Sequence, residues 1–162
     1  MALYGGDAPE GIAELLHEAM GSYSNTSDAE SKLLEAKQRA PGSLAVYFSL
    51  YKFYFYKKRL VDAERIAREA LIESASQGGF PPAWEDLLPE SADWSAEAAH
   101  FYLFSLKALA FMRLRQGDKL ECERILDKLK VLDYGDSVGS SVIREIAQGA
   151  NQAKNGHFQS AL

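Results

Sequence analysis

Residues 50–70 repeat the pattern of residues 16–36. Shifted by 34 positions, Leu50 falls on Leu16, Ala63 on Ala29, Ala67 on Leu33 and Ala70 on Ala36. Small or apolar residues thus recur where two packed helices must approach closely. A later stretch keeps the same order at one constant, larger offset, with Leu109 following Leu50, Cys122 following Ala63 and Leu129 following Ala70. The excess over one period, 25 residues, matches an inserted loop and a longer lead-in. Such a chain is built from stacked units, none of which buries its apolar face alone.

The local patterns agree with helices throughout. Only five prolines occur in 162 residues, and the segments between them lack the β-branched runs of strands. A first helix is expected over about 9–23, with Ile12, Leu15, Leu16 and Met20 on one stripe. After the small and polar residues 21–27, Ser27 or Asp28 can cap a second, reaching about residue 39 with Leu33, Leu34 and Ala36 inward. Residues 40–43, Ala-Pro-Gly-Ser, end it.

A third helix is expected over 44–58 and a fourth over 61–76, with Ala63, Ile66, Ala67, Ala70 and Leu71 buried. Residues 78–94, rich in Gly and Pro, read as a loop with one helical turn around Trp84 to Leu88. Ser95 or its predecessors can cap a fifth helix ending at Arg115. Gln116, Gly117 and Asp118 form a turn. A sixth helix over about 119–131 and a seventh over 138–150 follow, and the tail 151–162 is expected to fray.

In this setting the chain resembles the tetratricopeptide repeat (TPR) family. Tyr47, Leu50, Tyr54, Ala63 and Ala70 fit its pattern in the middle repeat; Leu109, Ala110, Gly117, Cys122, Leu132 and Asp133 fit it in the last. Pro41 stands where the family's closing proline would stand. His17 and Tyr51 stand where Gly or Ala is usual, and Arg113 replaces an aromatic residue. The resemblance implies an all-α fold: a TPR-like right-handed superhelix of three helix pairs (about 10–43, 44–77 and 103–136), interrupted by the 78–94 insertion and closed by a C-terminal capping helix.

The resemblance further implies a non-catalytic protein-protein interaction module, an adaptor or assembly factor that receives a partner segment in its concave groove. Carried over position by position, the groove residues are Phe48, Lys52, Phe55 and Tyr56 in the middle repeat and Phe104, Lys107, Phe111 and Arg115 in the last. Glu14 and Glu18 take the matching places in the first. Seven aromatic residues crowd positions 46–58, more than the core-facing third of one helix can hold. Some are therefore expected in a groove, under the 78–94 loop, or against another chain, and a homodimer is one such arrangement. Lys52, Lys107 and Arg115 beside these rings suit a partner that combines apolar anchors with carboxylates.

Other chemistries find little support. The net charge of −5 opposes a nucleic-acid binder, whose affinity comes from neutralising phosphates, and the basic cluster Lys57-Lys58-Arg59 suits a helix end. With Cys122 as the single cysteine, no disulfide framework or multi-thiolate metal site forms within one chain. Cys122 takes a small packed position, and no cofactor is expected. His17, His100 and His157 are scattered. The first ten residues lack a secretory pattern, and the apolar run 101–114 is shorter than the ~18 residues of a membrane span, so the cytoplasm is the expected location. Two alternatives remain: a chaperone of the type III secretion translocator class, echoed by Val131-Leu132-Asp133 and Asp136-Ser137, and an enzyme with a site around His100, Trp84 and Glu85.

Overall fold

The computed structural model describes residues 11–21 and 25–149, and among them the chain is all-helical, with no strand. Its helices are α1 (Ile12–Gly21), α2 (Thr26–Arg39), α3 (Leu44–Tyr56), α4 (Leu60–Gly78), α5 (Glu97–Arg115), α6 (Lys119–Leu132) and α7 (Ser140–Ala147). Each helix packs on the next in sequence, and α5 also touches α3 and α7. Short reversals join the partners, so α3 and α4, and likewise α5 and α6, are antiparallel pairs. The expected tail and the outer ends of the first helix, Pro9 and Tyr23, lie outside the described residues.

Several local expectations are corrected. Asn25, rather than Ser27 or Asp28, caps α2; its side chain accepts the Asp28 N–H at 3.1 Å. Met20 and Leu34 are exposed at 69% and 41%, because the inward stripes run through Ile12, Leu15 and Ala19 on α1 and Ala29, Leu33 and Ala36 on α2. Each exposed residue lies one position, about 100° of rotation, past that stripe. Ala96 rather than Ser95 precedes α5, and α7 is shorter than the 138–150 pattern.

Helix α3 explains where most of the rings go. Tyr47, Tyr51, Phe53, Tyr54 and Phe55 are all buried, together with Leu44, Val46 and Leu50. Burial extends around the helix because α2, α4 and α5 each cover part of it. A buried phenol needs a partner for its hydroxyl. Tyr51 shares a 3.2 Å hydrogen bond with Ser105, and Tyr54 donates to Glu30 at 2.7 Å. Only Phe48, half-buried, and Tyr56 keep an open edge.

The loop after α4 is folded onto the third pair. Gly79 (φ +76°) ends α4 in the left-handed conformation that a glycine adopts without strain. Phe80, Trp84 and Leu87 are then buried, the first two residues of this set within reach of Tyr102, Trp94 and Arg124. Tyr102 donates to the Pro82 carbonyl at 2.6 Å, and Lys128 donates to the Leu87 carbonyl at 2.7 Å. The expected helical turn is a 3₁₀ turn at Trp84–Asp86, with a second at Pro89–Ser91.

Arg113 is the hub of an ionic cluster joining α4, α5 and α6. It donates to Glu64 at 3.1 Å, Asp118 at 2.6 Å and Glu121 at 2.6 Å, while Arg68 bridges Glu64 and Glu121. Burial pushes the Glu64 carboxyl up, but hydrogen bonds from Arg68 and Gln116 and the charges of both arginines hold it below its ordinary value. The Asp118 carboxyl is likewise lowered, first by the Glu121 N–H. Lowered carboxylates stabilise the fold above their unfolded values, and that contribution fades as pH falls through the folded ones. We expect Arg113→Met to cost about 1.5–3 kcal/mol at pH 7 and to flatten the acid limb of a denaturation series below about pH 4. Equal acid slopes in variant and wild type would contradict this account.

The two pair-forming turns offer a second prediction. Gly117 closes α5 with φ +90°, whereas Lys58 closes α3 with φ +61°. A side chain in that left-handed region strains the backbone. Lys58→Gly is expected to stabilise the protein by about 0.5 kcal/mol, read as a higher denaturant midpoint at constant slope. A lower midpoint would show that Lys58 contributes more than its backbone costs.

Candidate functional site

Helices α3 and α5 meet through two ring pairs. Phe48 and Phe104 have centroids 5.7 Å apart, and Phe55 and Phe111 are 5.2 Å apart with planes tilted by 35°. These contacts divide the expected groove residues. Phe55 and Phe111 are buried at 8% and 0% exposure and form the floor between the helices, so their assignment to an open groove is corrected. The positions seven residues toward the helix starts, Phe48 and Phe104, are half-buried.

Of the remaining residues, Phe48, Lys52, Tyr56, Phe104 and Arg115 lie along the rim, while Lys107 is buried. Phe48, Lys52 and Tyr56 follow one another at intervals of four, which places them on one face of α3. The Lys52 ammonium sits 5.4 Å from the Phe48 ring centre and 5.7 Å from that of Tyr56. On α5, Lys107 places its ammonium 4.5 Å from the Phe104 centre, while Arg115 at the helix end is exposed. Glu14 and Glu18 on α1 are exposed too. A cation over an aromatic face gains from the ring quadrupole, the more so where water is excluded.

Lys107 was expected in an open groove, yet it is only 7% exposed. Burial pushes its amine down to about 8, with the charge of Asp136 pulling the other way. Among the described residues it has its ring contact but neither a hydrogen-bond acceptor nor a carboxylate within ion-pair distance. Lys52 shares this condition. Elsewhere the acidic chain pairs its cations readily, as in Lys37–Glu69, Arg59–Glu30 and Arg144–Asp127.

The buried amine has a measurable consequence. Between about pH 8 and the ordinary lysine value of about 10.4, the unfolded chain holds the Lys107 proton more firmly than the folded one, so wild-type stability gains with rising pH. Lys107→Met removes the burial penalty and should stabilise the protein by about 2 kcal/mol at pH 7. That advantage should shrink as pH climbs from 8 to 10. A gap independent of pH would show that the amine is not desolvated.

A concavity of about 500 Å³ lies between the end of the insertion and the turn before α7, lined by Trp94, His100, Asp133, Tyr134 and Ser137 among others. Sequence reasoning placed His100 near Trp84 and Glu85; instead it meets Ser137, with Nε2 to Oγ at 3.3 Å. Ser137 donates its proton to Asp133 at 2.6 Å, and Asp133 also accepts the N–H groups of Ser137 and Val138. A hydrolytic relay needs the imidazole between hydroxyl and carboxylate. Here the hydroxyl lies between them, and the carboxylate serves to shape the turn. His100 lies 33 positions before Asp133 and 37 before Ser137, and no spacing motif signals their meeting.

Cys122 is buried on α6, and burial first of all pushes its thiol up to about 11, the state of a packed rather than a reactive thiol. Among the described residues no cluster of three or more His, Cys, Asp or Glu side chains could hold a metal ion. No described helix is long and apolar enough to cross a membrane.

Fold and site together define an all-α protein of sequentially packed helices with a ring-and-amine seam between α3 and α5. The chain belongs to the family of the uncharacterised 19.8 kDa protein in the nifW 5′ region of Azotobacter chroococcum mcd 1. The two are 30% identical over 122 residues, which span 73% of this chain and 68% of that protein. No protein-family model matches the chain, and no solved structure matches it.

Proposed function

We propose that the protein is a TPR-like superhelix acting as a non-catalytic protein-binding module, with the α3–α5 face as its docking surface. Packing supports the architecture: neighbours in sequence are neighbours in space, while α3, α5 and α7 also touch one another in order, as stacked helix pairs do. The observation that carries the function is the pair of lysines held on rings without carboxylates in a chain of net charge −5. Partly open aromatic side chains are the anchors of an interface centre, and the lysines beside them call for a partner of complementary charge.

The docking residues are accordingly Phe48, Lys52, Tyr56, Phe104, Lys107 and Arg115, with Phe55 and Phe111 as the floor beneath them. The relative's name places it 5′ of nifW, so products of the corresponding neighbourhood are the first partners to test. Immobilised wild type is compared with Phe48→Ser/Lys52→Glu/Tyr56→Ser, changes confined to the rim. We expect the variant to keep its helical circular dichroism and lose about tenfold or more in partner retention, a fold-change worth about 1.4 kcal/mol. Retention of every partner would falsify the docking surface.

A further inference from the structure

We infer that the Lys52–Phe48–Phe104–Lys107 cluster recognises the side-chain carboxylates of an internal acidic peptide segment that also carries flat apolar side chains. The inference rests on the reading of this face as a docking surface and adds the chemistry of what docks. Four contacts in series define the cluster: Lys52 on Phe48, Phe48 on Phe104, and Phe104 under Lys107, with Tyr56 completing the Lys52 cradle.

Charge complementarity selects the occupant. Each amine retains unused N–H donors, since a ring face accepts no strong hydrogen bond. Lys107 in particular is more than nine-tenths buried and has no acceptor among the described residues. A largely buried ammonium with no carboxylate at ion-pair distance is costly, and an arriving carboxylate offsets that cost while forming charge-assisted hydrogen bonds. Half-buried Phe48 and Phe104 offer apolar area beside the amines rather than a polar floor. That favours carboxylates interleaved with leucine or phenylalanine over phosphate, whose oxygens call for several converging donors. The charged group acting on Lys107 from a neighbouring element is Asp136, before α7, whose carboxylate already accepts the Ser141 hydroxyl at 2.6 Å. His100 on α5 itself is turned to Ser137.

The cluster also gives the interaction a pH signature. Below about 8 the Lys107 amine is charged and ready to pair; above it the neutral amine must take up a proton on binding. Affinity should be level from pH 6.5 to 8 and weaken by up to about tenfold per pH unit beyond.

The full chain is titrated by heteronuclear NMR and calorimetry with an N-acetylated, C-amidated peptide alternating glutamate with leucine and phenylalanine. The controls are its glutamine counterpart and inorganic phosphate. The expected result is shifts at Lys52, Lys107, Phe48 and Phe104, with the glutamine peptide at least tenfold weaker and phosphate not competing. Lys52→Gln/Lys107→Met, which relieves buried charge and so keeps the fold, should bring the glutamate peptide down to the glutamine level. Equal binding of the two peptides, or unchanged binding to the double variant, overturns the carboxylate assignment. If both peptides then still require Phe48, the docking surface stands without it. Absence of any peptide binding, or competition by phosphate, also overturns the assignment, while partner retention by the rim variant judges the docking surface separately.

Discussion

The seam of rings between α3 and α5 is the constraint on which the arrangement depends. A helix carrying Tyr47, Tyr51, Phe53, Tyr54 and Phe55 buried together can exist in water only if neighbours cover it on several sides. Helices α2 and α4 cover two of them, and α5 closes a third through Phe48–Phe104 and Phe55–Phe111. For α5 to reach that place, its own surface must be apolar nearly all round, and residues 99–112 are almost entirely buried. Small residues at Ala63, Ala67 and Ala70 let α4 lie close to both.

Electrostatics divides the molecule into two unlike halves. Around α4 and α6, Arg68 and Arg113 are satisfied by Glu64, Asp118 and Glu121 in a cluster that ties three helices together. Along α3 and α5, lysines lie on rings with no carboxylate at ion-pair distance. The first half uses charge to hold the chain to itself. The second leaves charge uncompensated at a place where burial makes that expensive.

Helix existence, order and turn positions were legible in the sequence because a stripe with helical period and a Gly-Pro stop are local signals. The inward stripe of α4 (Ala63, Ile66, Ala67, Ala70, Leu71) is found as the spacing indicates. Met20 and Leu34 were misplaced because periodicity fixes an apolar stripe only to about one residue when its edge is shared with small residues such as Ala19 and Ala36. The site was legible in part. Lys52 on its rings follows from intervals of four, but the burial of Phe55, Lys107 and Phe111 depends on α3 meeting α5, a contact no single segment encodes. The His100–Ser137 contact was invisible for the same reason.

The insertion after α4 is anchored in a way that frees its outer surface. Its fixed points are three buried side chains (Phe80, Trp84 and Leu87) and the main-chain oxygens of Pro82 and Leu87, which accept from Tyr102 and Lys128. A carbonyl oxygen is the same whatever residue bears it. Glu85, Asp86 and Glu90, all exposed, can therefore be exchanged without disturbing those anchors. That turns this stretch into a ready attachment point for a fluorophore or an epitope on a rigid part of the molecule.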